Sequence, residues 1–301
     1  MLPDNLNITT DSLHNRLLKE KQVNLSVLRL DKIHPVISGN KLFKLYYFLG
    51  PANMEKAKQI VTFGGAYSNH LVATAYACKI KNIACTGIVR GERPEELSHT
   101  LQDCINYGMQ LTFISRHDYN RKDTEDFIKN IKKETGDCII IPEGGYHPLG
   151  AKGASLIMNY VKGTSTHICC ACGTATTMCG LLIGKKEHQQ VIGIPVLKGI
   201  TDMEYRIEYL TGEKFSNNQL DIEYGYHFGG YAKKNAALIS FMNNIYHQFE
   251  LPTDFVYTAK MIYAVFDLVS NNFFAKGSEI VCIHTGGLQG NLSLQETALT
   301  F

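Results

Sequence analysis

Lys41 and Lys44 stand three residues apart in Ser38-Gly39-Asn40-Lys41-Leu42-Phe43-Lys44. Pro35 pushes His34 out of helical geometry and Gly39 frees the backbone at a bend, so a helix is expected to start near Asn40. Its apolar positions would be Leu42, Leu45, Tyr46 and Leu49. Asn40 is the candidate cap, and the two lysines fall on one face of the first turn. Paired ammonium groups at a helix N-terminus oppose the macrodipole. Either both are solvated surface lysines, or an anion sits between them, or one is uncharged. A Schiff-base lysine beside a phosphate meets the last two conditions together.

Three further stretches could do chemistry. Gly64-Gly65-Ala66-Tyr67-Ser68-Asn69-His70 puts a hydroxyl, an amide and an imidazole at a helix start, suited to a carboxylate. A plain turn with Ser68 as cap is the alternative. Cys172-Gly173-Thr174-Ala175-Thr176-Thr177 lies between an apolar strand and a helix. Its small residues and hydroxyls suit one phosphate monoester, or form an ordinary turn. It lacks the Gly-Lys-Ser/Thr of a nucleotide loop and does not fit G-x-G-x-x-G. In Asp254-Phe255-Val256-Tyr257-Thr258, Tyr257 could be a core aromatic and Thr258 a cap. His34, His117 and His247 show no ligand spacing. Cys169-Cys170-Ala171-Cys172 contains one C-x-x-C without a second, so buried small residues are expected there and a metal is not.

The elements that must position these residues alternate. Strands are expected at 23–30, 60–63, 84–89, 109–114, 138–141, 167–171, 191–196 and 279–284. Helices are expected to open near residue 70 and at 94–107, 119–133, 149–161, 236–249 and 259–271, with Leu97, Leu101, Cys104 and Ile105 facing inward from the second, and residues 173–183 read as a loop leading into a helix. Residues 198–231, rich in Gly, Tyr, Asn and charges, read as irregular loop. Such β-α alternation builds open parallel sheets, with ligands beyond the carboxyl ends of strands. The 301 residues are 45% hydrophobic and 19% charged, ordinary for a globular enzyme. A formal net charge of +2 offers no field for nucleic acid or an anionic membrane. No apolar run is long enough to span a bilayer. The opening Met1-Leu2-Pro3-Asp4-Asn5 shows no signal peptide, and nine cysteines without one suggest reduced thiols in the cytoplasm.

Taken in order, His34-Pro35, Ser38-Gly39-Asn40-Lys41, residues 64–70 and residues 254–258 resemble the 1-aminocyclopropane-1-carboxylate deaminase and D-cysteine desulfhydrase family of pyridoxal-phosphate enzymes. The resemblance runs from about Arg29 to Gly287 and implies an α/β fold of the tryptophan-synthase-β type. That fold has two open, twisted, mostly parallel sheets: a large cofactor unit of residues 1–48 and 151–301, and a small inserted unit of 49–150. It implies a homodimer acting on a small amino acid. Lys41 would bind pyridoxal 5′-phosphate covalently and then serve as base for the Cα proton. Lys44 and Gly173, Thr174, Ala175, Thr176 and Thr177 would hold the phosphate, and Asn69 the ring oxygen. Ser68, Asn69, His70, Tyr231 and Tyr257 would face the substrate, with Ser68 and both tyrosines catalytic.

Thr258 stands where the deaminases carry a glutamate, and His70 where many carry glutamine. A neutral hydroxyl at the pyridine nitrogen makes a milder electron sink, adequate for expelling a thiolate. Thr285 is the alternative partner for that nitrogen. The resemblance therefore implies elimination from D-cysteine, giving a 2-oxo acid and ammonia. Cyclopropane-carboxylate deamination, racemization or dehydration, and cofactor binding with little turnover are the rivals. Thr176 replaces the family's usual glycine, and Gly230-Tyr231-Ala232-Lys233 lacks the usual Gly-Pro continuation.

Overall fold

The computed structural model describes residues 6–55, 58–295 and 297–301, so residues 1–5, read above for a leader, lie outside it. The strands are β1 (Thr9–Leu13), β2 (Asn24–Arg29), β3 (Gln59–Gly64), β4 (Ala84–Arg90), β5 (Gln110–Ile114), β6 (Cys138–Ile141), β7 (His167–Cys172), β8 (Gln190–Pro195), β9 (Leu220–Ile222) and β10 (Glu279–His284). The helices are α1 (Arg16–Lys21), α2 (Lys41–Leu45), α3 (Pro51–Met54), α4 (Asn69–Lys81), α5 (His99–Asn106), α6 (Arg116–Tyr119), α7 (Glu125–Thr135), α8 (Pro148–Ser155), α9 (Thr176–Gly184), α10 (Met203–Thr211), α11 (Ala236–Phe249) and α12 (Thr258–Ser270).

β7 shows why the large sheet is covered on both sides. Alternate side chains point to opposite faces. Cys169 and Ala171 enter a core shared with Met261, Ile262 and Val265 of α12. Ile168, Cys170 and Cys172 enter a second core with Met178 and Leu181 of α9. After His167, every position is apolar because the strand has no solvent face. The order is β1-β2-β10-β7-β8-β9, with only β1 antiparallel. A second sheet, β5-β4-β3-β6, is wholly parallel. All nine cysteines are free thiols. Among the described residues, no helix is long and apolar enough to cross a membrane.

Several expected elements differ. β1 and α1 occupy a stretch with no clear period; Asn15 caps α1 by accepting from the Leu18 amide at 2.9 Å. The second expected helix starts at His99 rather than residue 94, because the Ser98 hydroxyl caps it. Ile105 lies 39% exposed instead of facing inward. The 119–133 segment breaks into α6 and α7, with Thr124 capping the latter. α8 stops at Ser155 and continues as a tighter 3-10 turn over Leu156–Tyr160. Residues 198–231 are not merely irregular, for they hold α10 and the edge strand β9. In α10 the buried Met203, Ile207 and Leu210 follow helical spacing, but exposed Tyr205 and Tyr209 between them blur the amphipathic period.

α2 joins the two sheets. Its Phe43 belongs to the α9-side core of the large sheet, whereas Leu45 packs in the core beneath α4. α8 lies so close that a Cβ on Gly153 would overlap the Phe43 carbonyl. We predict that Gly153→Ala forces these helices apart and costs about 1–3 kcal/mol. A lowered urea midpoint at unchanged slope would record that loss.

Candidate active site

Loops after the carboxyl ends of β2, β10, β7, β3 and β6 converge on α2, as expected for ligand sites in parallel sheets. Gly39 adopts φ +68°, and a side chain there would overlap the Thr285 carbonyl. That carbonyl accepts from the Asn40 amide at 3.3 Å, joining the β2 loop to the β10 loop. His34 shapes the approach, its Nδ1 accepting from the Val36 and Ile37 amides at 3.0 and 3.2 Å. Asn40 is not a cap. Its backbone is already helical, and its side chain instead accepts from Lys41 Nζ at 2.6 Å and donates to Thr177 Oγ1 at 2.7 Å. The first lysine is thereby coupled to the Gly/Thr loop.

Neither lysine of α2 forms an ion pair among the described residues. Burial lowers the Lys41 pKa to about 8, with Asp254 opposing the shift. Lys44 is the more deeply buried of the two, and its Nζ donates to the Gly144 carbonyl at 3.1 Å. Desolvation first, then repulsion from Lys41, holds it well below an ordinary lysine. Desolvation makes both amines easier to deprotonate, and repulsion from Lys41 adds to this at Lys44.

Ser68 caps α4, its hydroxyl accepting from the Leu71 amide at 3.2 Å. The first amides of α4 have no helical partner and face forward as an anion site. Asn69 follows, its carbonyl oxygen buried without a partner and its Nδ2 3.1 Å from where a Cβ of Gly287 would lie. Expected to face the substrate, His70 is instead only 3% exposed. The Thr62 hydroxyl donates to the Ile141 carbonyl at 2.8 Å, so at 2.9 Å it must accept from His70 Nε2–H. Nδ1 is left as an acceptor with no partner among the described residues. Burial, then Lys41 and Lys44, lowers the imidazole pKa to about 3, which disqualifies it as a proton donor.

Residues 173–177 turn into α9 through Ala175, at φ +65°, with no side-chain cap on the helix. Their amides and hydroxyls therefore form a cradle of donors. Thr174 and Thr176 share a hydroxyl contact of 2.9 Å, and Thr176 is fully buried. Thr174 also meets Gly144, whose carbonyl holds Lys44. Gly173 leaves room for the Tyr257 ring, which would lie 3.3 Å from a Cβ there. Tyr231 meets Tyr257 edge-to-face at 6.1 Å. Burial, then Tyr231, pushes the Tyr257 pKa well up, so its hydroxyl keeps its proton.

Thr258 is not available to a ring nitrogen. Its hydroxyl donates to Asp254 Oδ1 at 2.7 Å and accepts from the Asp254 amide at 2.8 Å. The Thr285 hydroxyl, by contrast, has no such internal commitment among the described hydrogen bonds, and the residue is 7% exposed. Reasoning from spacing also passed over Asp254, which accepts from the amides of Val256, Tyr257 and Thr258 at 2.9 Å and fixes the start of α12. Its place in the quoted motif was the available signal. Arg206, whose Nη1 donates to the Gly173 carbonyl at 3.4 Å, lay inside the presumed loop and gave none.

A neutralizable amine, a second buried lysine, a donor cradle and an orphaned amide suit an aldehyde that carries a phosphate ester. Among the described residues no cluster of His, Cys, Asp and Glu could hold a metal. Residues 12–286 match the family described as pyridoxal-phosphate dependent enzyme, and the chain belongs to it. Its cofactor is pyridoxal phosphate and its fold is the tryptophan-synthase-β type.

Among relatives, the chain is similar to a Pyrococcus abyssi protein provisionally named a 1-aminocyclopropane-1-carboxylate deaminase: 28% identical over 291 residues, 91% of this chain and 88% of that one. It is 25% identical over 280 residues to the mitochondrial bifunctional D-cysteine desulfhydrase/1-aminocyclopropane-1-carboxylate deaminase of Arabidopsis thaliana, covering 84% of this chain and 70% of that one. A crystal structure described as an ACC deaminase homologue superposes with a TM-score of 0.81 at 26% identity, over 96% of this chain and 91% of that one.

The Lys41 pKa predicts a reactivity profile. Without cofactor, labelling of Lys41 by an amine-selective acylating reagent should rise through about pH 8, while exposed lysines near 10.5 stay mostly protonated. Peptide mapping across pH 7–10 checks this. Loading with pyridoxal phosphate should protect Lys41.

Proposed function

We propose that the chain is a D-cysteine desulfhydrase, converting D-cysteine and water to pyruvate, hydrogen sulfide and ammonia. The observation that carries the choice is at Thr258: a neutral side chain follows Tyr257, and its hydroxyl is committed to Asp254. No carboxylate is thereby offered to the pyridine nitrogen from this position, which favours a mild electron sink. Lys41 would attach the cofactor, Lys44 and residues 173–177 would hold its phosphate, Asn69 its ring oxygen, and Thr285 its nitrogen.

When bound, pyridoxal phosphate would supply an electron sink for the pair left by a departing Cα proton. Lys41 would take that proton at Nζ, which suits an amine of pKa about 8. Ser68 and the α4 amides bind the substrate carboxylate. Tyr257, kept protonated by burial, donates toward the leaving sulfur with Tyr231 beside it. This reading includes a cytoplasmic homodimer, with residues 1–48 and 151–301 as the cofactor unit and 49–150 as the inserted unit, a division supported by the two sheets.

Cyclopropane-carboxylate deamination is a second reading, favoured by the names of the relatives. Parallel assays of the two substrates decide: pyruvate and sulfide should form from D-cysteine, with at least tenfold less 2-oxobutanoate from the cyclopropane. The reverse ratio would overturn the assignment. Lys41→Ala should lose turnover with both, whereas Lys44→Ala should weaken cofactor affinity first.

A further inference from the structure

Lys260 lies in the first turn of α12, and its side chain is fully buried. No carboxylate pairs with it among the described residues; the nearest acid acting on it is Asp254, at the head of the same helix. Its Nζ donates to the carbonyls of His227 and Gly230 at 2.8 and 2.7 Å. These carbonyls belong to a turn that L-residues resist. Phe228, Gly229, Gly230 and Ala232 have φ of +52°, +91°, +119° and +53°. Four left-handed residues within five persist only where the surroundings over-determine them.

The turn's own bonds are few. Gly230 donates to the His227 carbonyl at 3.0 Å, Lys233 to the Gly230 carbonyl at 3.2 Å, and Gly229 to His227 Nδ1 at 3.0 Å. The lysine grips the same two carbonyls from inside, and Phe228 packs its edge on Tyr263 of α12 at 4.9 Å. Tyr231 sits in the middle of this turn, 45% exposed and against Tyr257. Burying an ammonium is costly unless carbonyls replace its water, and such a group is kept where it specifies one geometry.

We propose that Lys260 is a positioning residue: it clamps the strained 227–232 turn onto α12, so that Tyr231 is presented to Tyr257 at the substrate end of the site. Asp254 fixes the backbone of Tyr257 and Lys260 fixes the loop of Tyr231, so one helix terminus aligns both tyrosines. The proposal rests on the reading of those tyrosines as substrate-facing.

The test uses the enzyme saturated with pyridoxal phosphate and the variants Lys260→Met, Tyr231→Phe and the double variant. Amide exchange over residues 228–233 should speed at least tenfold in Lys260→Met, with α11 unchanged. Turnover of D-cysteine should fall at least tenfold in Lys260→Met, cofactor affinity and visible absorption should hold, and the double variant should be no worse than the poorer single. Unchanged exchange, strictly multiplicative losses, or loss of cofactor affinity together with turnover would overturn the clamp. Should Lys260→Met not fold, Lys260→Gln, which keeps two N–H donors on a shorter arm, is measured in its place with the same criteria. If the wild-type enzyme leaves D-cysteine untouched, the substrate assignment fails, while the exchange experiment still decides the role of Lys260.

Discussion

Two amines buried within one helical turn set the terms for the rest of this protein. Moving an ammonium out of water is expensive, and a second one beside it adds repulsion instead of repayment. The chain places no carboxylate in ion-pair contact with either Lys41 or Lys44 among the described residues. It gives each a neutral acceptor, the Asn40 amide and the Gly144 carbonyl, and lowers both pKa values. A readily deprotonated amine and an anion-seeking neighbour follow from this one strained arrangement.

Holding such an arrangement needs rigidity from two directions, which explains the position of α2. With Phe43 in one sheet's core and Leu45 in the other's, the five-residue helix cannot relax toward solvent without opening both. Gly153 lets α8 press against its backbone from a third side. Beneath the loops, Arg29 and His284 stand opposite each other on β2 and β10, and both reach Asp31. Burial would raise the Asp31 pKa, but its hydrogen bonds to Arg29 and the charges of His284 and Arg29 more than offset this and hold it low. The Lys41 and Thr285 loops leave the sheet directly above this pinned network. The acidic anchors Asp31 and Asp254 lie beneath the site and at the head of α12.

Much of this was legible from residue order. Strands buried on both faces announce themselves as short apolar runs between turn residues, and β6, β10 and α11 begin and end where their patterns do. The exceptions share a cause. β1 is an edge strand and α10 a helix whose exposed tyrosines dilute its apolar stripe, so neither carries the periodicity that burial imposes. The roles of polar side chains were harder to read. Asn40, Thr258 and His70 each have a hydroxyl, amide or imidazole whose local options outnumber its final one. Asn40 looked like a cap and became a bridge; Thr258 looked like a cap or a ring partner and is spent on Asp254; His70 looked open and is a buried acceptor.

Sequence alone determined the parallel α/β plan, the spacing of the two lysines, the Gly/Thr turn and the kinship that these motifs carry, because all are local patterns or their order along the chain. Only the tertiary structure decided which protons are held where: the lowered amine of Lys41, the fixed tautomer of His70, and the grip of Lys260 on a turn thirty residues earlier. Such properties depend on desolvation and on partners brought together from distant segments, and neither is written in any single stretch of the chain.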